Sequence, residues 1–283
     1  MNAKVADRLA TGVFYLIAFL IVGILLGFLG VILYRGLPMI VGAGGGVGPQ
    51  LLNSFYMLVL TMVISIPLGL GGGIYMAEYA KPGRITDGIR LAIEVLSSLP
   101  SIVVGLFGLL LFVQYTGWGY SVAAGALALT VFNLPLMVRV VEQAIQAVPP
   151  DQKEASLALG VTHWQTITRV LLPAALPGMI TGFILAAGRV FGEAAALIFT
   201  AGQSSPVLDF TDWNLTSPSS PLNPFRPAST LAVHIWKINS EGLMADAREV
   251  SAGASAILVI CVLVFNLLAR WLGRFIHRKL TAS

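Results

Sequence analysis

The sequence is poor in almost every group that chemistry in water requires. Charged residues make up only 11% of 283 positions against 57% hydrophobic, and mean hydropathy is +0.85. That composition excludes a water-soluble globule, in which about a quarter of residues are charged. A single cysteine, Cys261, excludes an intrachain disulfide, and its place within an apolar run makes it a packing thiol. His163, His234 and His277 lack metal-site spacing and are given no chemistry. No G-x-x-x-x-G-K-[ST] sequence occurs. The run Gly42-Ala43-Gly44-Gly45-Gly46-Val47-Gly48-Pro49 has no Lys-Ser or Lys-Thr behind it and reads as a flexible connector. If ATP drives this protein, another chain binds it.

What the sequence has in abundance is long apolar stretches. Six reach or approach the roughly 20 helical residues needed to cross a hydrocarbon core of about 30 Å. They fall near 12–33, 54–76, 93–113, 122–138, 178–200 and 251–271, the fourth short and interrupted by Asn133 and Pro135. The expected fold class is an all-α integral membrane protein of six spans. Lys4 and Arg8 precede the first span as they would a secretory signal. Its apolar part is too long for one, and it ends at Tyr34-Arg35-Gly36 without a small-x-small site, so it reads as a retained helix after a tail at 1–11.

Lys and Arg then orient the chain. With the N-terminus inside, Lys4, Arg8, Lys81, Arg84, Arg90, Arg139, Lys153, Arg169 and the basic tail at 272–283 with neighbouring Arg270 fall on the cytoplasmic side. Only Arg35, Arg226, Lys237 and Arg248 fall outside. Both termini are therefore expected inside. The net charge of +4 reflects this loop bias and is no nucleic-acid footprint.

Glycine and proline punctuate the middle spans. Pro67 with Gly69, Gly71, Gly72 and Gly73, then Pro100 and Pro135, predict kinked and closely packed helices. Gly178-x-x-x-Gly182 and Gly188-x-x-x-Gly192 set small residues one turn apart, where another helix can approach. The outer segment at 201–250 opens with turn-rich Ser217-Pro218-Ser219-Ser220-Pro221, and Trp213, Phe225 and Trp236 suit a membrane interface. A lid, a partner-facing surface and a plain connecting loop all remain open for it.

Two features carry function. On the cytoplasmic side, Pro149-Pro150 stop the preceding helix, Asp151 with Glu154 forms a capping-box-like start, and Gly160 suits a left-handed helix end. Thr162 with Gln165 repeats the start signal, giving two short helices around a glycine. Ala155, Ala158 and Leu159 lie at i, i+3 and i+4 and form a shallow apolar patch, placed either against a partner or against this chain's own spans. The second feature is Arg189 and Glu193 inside the expected fifth span. Each ionisable residue at a helix centre costs about 2.5–3.5 kcal/mol to insert. At i, i+4 they share a helix face and can pair, as a structural ion pair or as part of a substrate path in which Arg189 grips an oxyanion and Glu193 holds and moderates it.

Glu154-Ala155-Ser156-Leu157-Ala158-Leu159-Gly160, followed after nine residues by Val170-Leu171-Leu172-Pro173, resembles the pattern E-A-A-x3-G-x9-I-x-L-P of binding-protein-dependent ABC importer permeases with the type I, MetI-like fold. Ser156 and Val170 depart from it conservatively. The resemblance implies a permease domain over 50–271. It also implies coupling helices at 151–172 that seat Glu154, Ala155, Ser156, Ala158, Leu159 and Gly160 in a cleft of an ATP-hydrolysing subunit. Ala187 to Ala194, Leu99 to Gly108 and Pro227 to Ile235 are in turn similar to phosphate-importer permeases of the PstA type. That similarity implies inorganic phosphate as substrate, with Arg189 and Glu193 in its pathway, and a bacterial plasma (inner) membrane location. It implies as partners a PstC-like second permease, two copies of a PstB-like ATP-binding subunit holding the ATP and magnesium, and a PstS-like phosphate-binding protein. This chain itself would carry no cofactor and no catalysis. Molybdate, sulfate or a polar organic solute are the alternative substrates. A stand-alone channel or carrier is the alternative class, and an intramembrane enzyme using Glu193 is disfavoured because no histidine lies inside a placed span.

Overall fold

Hydrocarbon offers no water to backbone N–H and C=O groups, so apolar stretches inside it satisfy those groups as helices. The computed structural model describes residues 3–42, 47–241 and 247–281, and among these every regular element is helical. Residues 43–46 of the expected glycine-rich connector lie outside the described residues. In chain order, α1 (Ala3–Gly42) is followed by α2 (Gly48–Ile74), which ends in a wide π-helical turn, Tyr75–Tyr79. Next come α3 (Arg84–Ser98) and α4 (Ser101–Gly108), the latter prolonged by a π-helical Leu109–Tyr115, and then α5 (Val122–Gln146). The short α6 (Pro150–Ala158) and α7 (His163–Thr166) lead through a π turn, Ile167–Leu171, into α8 (Leu172–Phe191). The chain finishes with α9 (Ala195–Thr200), α10 (Leu231–Glu241) and α11 (Ala247–Thr281).

Three expected spans change. The stretch at 93–113 is no single kinked helix: α3 and the Ser101–Tyr115 segment meet at 102°. The cause is local, because Leu99 and Pro100 are both extended (ψ 135° and 138°), and a proline disfavours the helical conformation in the residue before it. The fourth span, short by sequence, runs uninterrupted through Pro135 to Gln146 and is the most enclosed of all. The fifth begins earlier, at His163, and stops at Phe191, so 195–200 belongs to a separate helix.

The 15 residues of Ser101–Tyr115 span only about 22 Å, less than a hydrocarbon core, yet they must bring the chain back across. Met57 meets Gly125, Gly69 meets Met137 and Gly73 meets Val141, so α2 and α5 run parallel along their whole contact. Two parallel helices consecutive in a membrane require a return crossing between them. An added Cβ at Gly69 or Gly73 would collide with Met137 or Val141, which explains the glycine cluster as a close seam and not a kink. Gly178 and Gly182 do the same for α8 against Ala144 and Val140 of α5. Of the second small-residue pair, Gly188 faces Asn266 on α11, while Gly192 ends α8 and packs on no neighbouring helix.

Opposite the α6–α7 connection, the loop at 201–230 is tied down by a buried arginine. Arg226, 2% exposed, donates from Nε to the Ser220 carbonyl at 3.0 Å and from Nη2 to Asn53 Oδ1 at 2.8 Å and the Pro221 carbonyl at 3.0 Å. Burial pushes its pKa down from the ordinary value, and Tyr56 opposes that shift. Asn53, Ser54 and Tyr56 on the first turns of α2 all bond this loop region, to Ser205, Ser229, Leu231 and Leu222. The head of α5 joins them, since Val122 N donates to the Arg226 carbonyl and Ala123 N to that of Pro224. Each hydrogen bond to a charged group contributes about 1.5–3 kcal/mol net. Arg226→Ala is therefore expected to lower the unfolding midpoint in detergent by roughly 5 °C or more, with Arg226→Lys between the two. Scanning fluorimetry of the purified chain measures this, and an unchanged midpoint would show that the loop is held otherwise.

Candidate functional site

The α6–α7 connection has the predicted helix–glycine–helix form with one change at its start. The Asp151–Glu154 capping box does not form: α6 starts on Pro149 and Pro150 with no side-chain cap. Proline at the first helical position has no N–H left to satisfy and presets the helical φ, so no cap is required. Gly160 adopts φ +77°, the left-handed conformation that favours glycine, and ends the helix. The second start is as expected, with Gln165 N donating to Thr162 Oγ1 at 3.3 Å and Thr162 N to Gln165 Oε1 at 3.4 Å.

Glu154, Ala155, Ala158 and Leu159 are exposed, Leu159 at 84%, so the apolar patch does not lie on this chain's own spans. Ser156 does not belong to that face. It is buried with its hydroxyl 3.0 Å from Thr166 Oγ1, where it ties α6 to α7 and presents nothing to a partner. The patch is thus an unpartnered apolar surface on a polar connection.

The residue that holds this connection in place is one that no sequence motif marks. Glu78, in the π turn that ends α2, has a side chain only 6% exposed, and its Oε2 takes Lys153 Nζ of α6 at 2.7 Å and His163 Nε2 of α7 at 2.9 Å. The ring of Tyr79 stands edge-on to that of His163 at 5.2 Å. These partners lie 75 and 85 positions apart in the chain, so no local pattern announces them.

Arg189 and Glu193 are near in sequence but not paired. α8 ends at Phe191 with Gly192 as its cap, so the two side chains no longer share a helical face. Glu193 Oε1 instead accepts from Ala196 N at 3.3 Å, serving the first turn of α9. Arg189 lies with its guanidinium carbon 3.9 Å above the centre of the Phe132 ring. Phe132 is ten residues into α5, about 15 Å from its start, and so Arg189 sits near the middle of a core about 30 Å thick. Its side chain is exposed, and among the described residues it meets no carboxylate and donates no hydrogen bond. What the geometry can do here is present a bare cation at mid-membrane depth, on a surface this chain leaves open.

The face that carries the 201–230 loop holds a cavity of about 590 Å³ between the head of α2 and α10, lined by Gln50, Ser204, Ser229, His234 and Lys237 among others. Burial, with help from Lys237, holds the His234 pKa below its ordinary value.

Residues 69–282 match the family described as binding-protein-dependent transport system inner membrane component. A probable ABC transporter permease protein YqgI of Bacillus subtilis (strain 168) is 60% identical over 294 aligned positions, covering all of both chains. The phosphate transport system permease protein PstA of Yersinia pestis is 33% identical, covering 81% of this chain and 72% of that one. Among solved structures, an inward-facing MetNI methionine ABC transporter matches with TM-score 0.61 at 20% identity, over 79% of this chain and 93% of that one. A bacterial ABC transporter that imports the acidic polysaccharide alginate matches with TM-score 0.67 at 13% identity, over 96% and 97% of the two chains. At those identities the solved structures speak for the fold alone, which is the MetI-like permease fold expected from the sequence. The chain belongs to the family of binding-protein-dependent transport system inner membrane components and is the multi-pass permease subunit of an ABC importer.

Proposed function

We propose that this subunit moves inorganic phosphate across the bacterial plasma membrane by alternating access, with both termini and the α6–α7 connection on the cytoplasmic side. Arg189 carries the proposal. A cation with no carboxylate beside it is costly where it faces hydrocarbon at mid-bilayer depth, and the cost is removed if its surroundings are a wet path travelled by an anion. The named similarity to PstA proteins supports phosphate as that anion. Glu193 lines the same stretch and acts by seating α9 beside the path, not by gripping Arg189. ATP and magnesium are bound by two copies of a PstB-like partner, docked on Glu154, Ala155, Ala158, Leu159 and Gly160. A PstC-like second permease closes the path, and a PstS-like protein delivers phosphate to the 201–230 side.

Two outcomes test the parts separately. Arg189→Ala in the reconstituted complex is expected to cut phosphate uptake about 10- to 100-fold, the loss of a contact to a charged group of about 1.5–3 kcal/mol, while all subunits still copurify. Arg189→Lys keeps the charge without the planar fork and falls between. Normal uptake by Arg189→Ala would make the residue structural, and stimulation of ATP hydrolysis by sulfate or molybdate but not phosphate would overturn the substrate.

Leu159→Glu changes an exposed side chain and should leave the permease folded. It is expected to strip the ATPase subunit from the purified complex, seen as its loss in size-exclusion chromatography. Retention of that subunit at normal stoichiometry would refute docking on this patch.

A further inference from the structure

α2 is gripped at both ends by the two elements that face opposite sides of the membrane. At its head Asn53 accepts from Arg226 at 2.8 Å and donates to Ser205 and Ser229, Ser54 accepts from Leu231 N, and Tyr56 donates to the Leu222 carbonyl, so a full turn is bonded to the 201–230 region. At its foot the buried Glu78 carboxylate meets one side chain from each limb of the α6–α7 connection, the Lys153 ammonium at 2.7 Å and the His163 ring at 2.9 Å. Between these grips the Gly69 and Gly73 seam holds α2 against α5 with no room for a side chain. A helix fixed at both ends and backed along its length transmits displacement along its axis.

We infer that α2 is the rod through which an event at the 201–230 loop reaches the α6–α7 connection, and that Glu78 is the positioning residue at its inner joint. Glu78 is suited to this because its single Oε2 atom holds both limbs, so any movement of α2 shifts α6 and α7 together and preserves the angle between them. The π turn Tyr75–Tyr79 contributes as well. Its wider winding rotates the last residues of α2 away from the α-helical register, which turns Glu78 toward the connection. Removing the carboxylate charge leaves Lys153 and His163 in place on their own helices but disconnects them from the rod. The inference rests on the reading of α6–α7 as the ATPase-docking element.

The test is the complete importer in liposomes, with ATP hydrolysis measured with and without phosphate-loaded binding protein. Glu78→Gln, close in shape but uncharged, is expected to lower the ratio of stimulated to basal hydrolysis about tenfold while the ATPase subunit still copurifies. The charge exchange Glu78→Lys with Lys153→Glu rebuilds the link to α6 but not the one to His163, and is expected to recover only part of the wild-type ratio while the ATPase subunit copurifies. A wild-type ratio in both Glu78→Gln and Glu78→Ala would overturn the inference. So would loss of the ATPase subunit in Glu78→Gln, Glu78→Ala and the exchanged pair alike, which would make Glu78 a support for the fold. If Leu159→Glu retained the ATPase subunit while Glu78→Gln still lowered the ratio, the docking surface would be wrong and the linkage would stand.

Discussion

The parallel contact between α2 and α5 is the constraint on which the rest of the molecule depends. Gly69 on Met137 and Gly73 on Val141 bring two backbones closer than any larger residue would allow, and in lipid such close packing replaces the hydrophobic drive that holds soluble helices together. Because the two helices run the same way, the chain between them has to return, and Ser101–Tyr115 does so although it is short. α8 then packs on the other side of α5 through Gly178 and Gly182. With α5 enclosed, the heads of α2 and α5 stand together to receive the Arg226 loop, and their feet frame the α6–α7 connection.

Legibility followed the range of the forces involved. Spans were readable because insertion depends on the summed apolarity of about 20 consecutive residues, and the α7 start because a capping box closes over three positions. Gly160 was readable because only its own φ is at issue. The misreadings have physical reasons of the same kind. Apolar residues continue across Leu99-Pro100, so hydropathy joins α3 to α4 where backbone geometry parts them. Pro135 looks like a break, yet α5 is packed on by several helices that compensate for it. Glu78 and Arg226 were invisible because their partners are far away in sequence, and a charged residue's role in a membrane protein is set by what the fold brings to it. Helix α1, mostly exposed along its length, shows the opposite limit: its span was plain, while its neighbours, Ala252 and Ala256 of α11 against Gly36, were not.

Arg226 and Glu78 are buried charges that the fold compensates by different means. Arg226 is surrounded by carbonyls and an amide oxygen, which suits a group that must stay still, since each acceptor fixes one direction of the planar fork. Glu78 takes partners from two helices and so fixes a relation between elements. Breaking either grip leaves polar groups in a place that water reaches poorly, and such losses are larger than those of exposed pairs. Arg90–Glu142, with its arginine half exposed, belongs to the weaker class.

Arg189 is compensated in neither way, and the separation from Glu193 is what gives it a different capacity. An arginine paired with a carboxylate at i+4 would be neutralised by its own chain, with two of its donors occupied. Stacked on Phe132, the guanidinium is instead held by its face, through attraction between the cation and the ring's π density. The hydrogen-bond donors of a guanidinium lie in its plane, so stacking restrains the group while leaving its N–H edge directed outward. Such a cation retains its full charge and a bidentate edge for an oxyanion. Gly192 is the residue that makes this possible: by ending α8 there, it turns Glu193 onto the start of α9 and leaves the arginine without a carboxylate from its own helix.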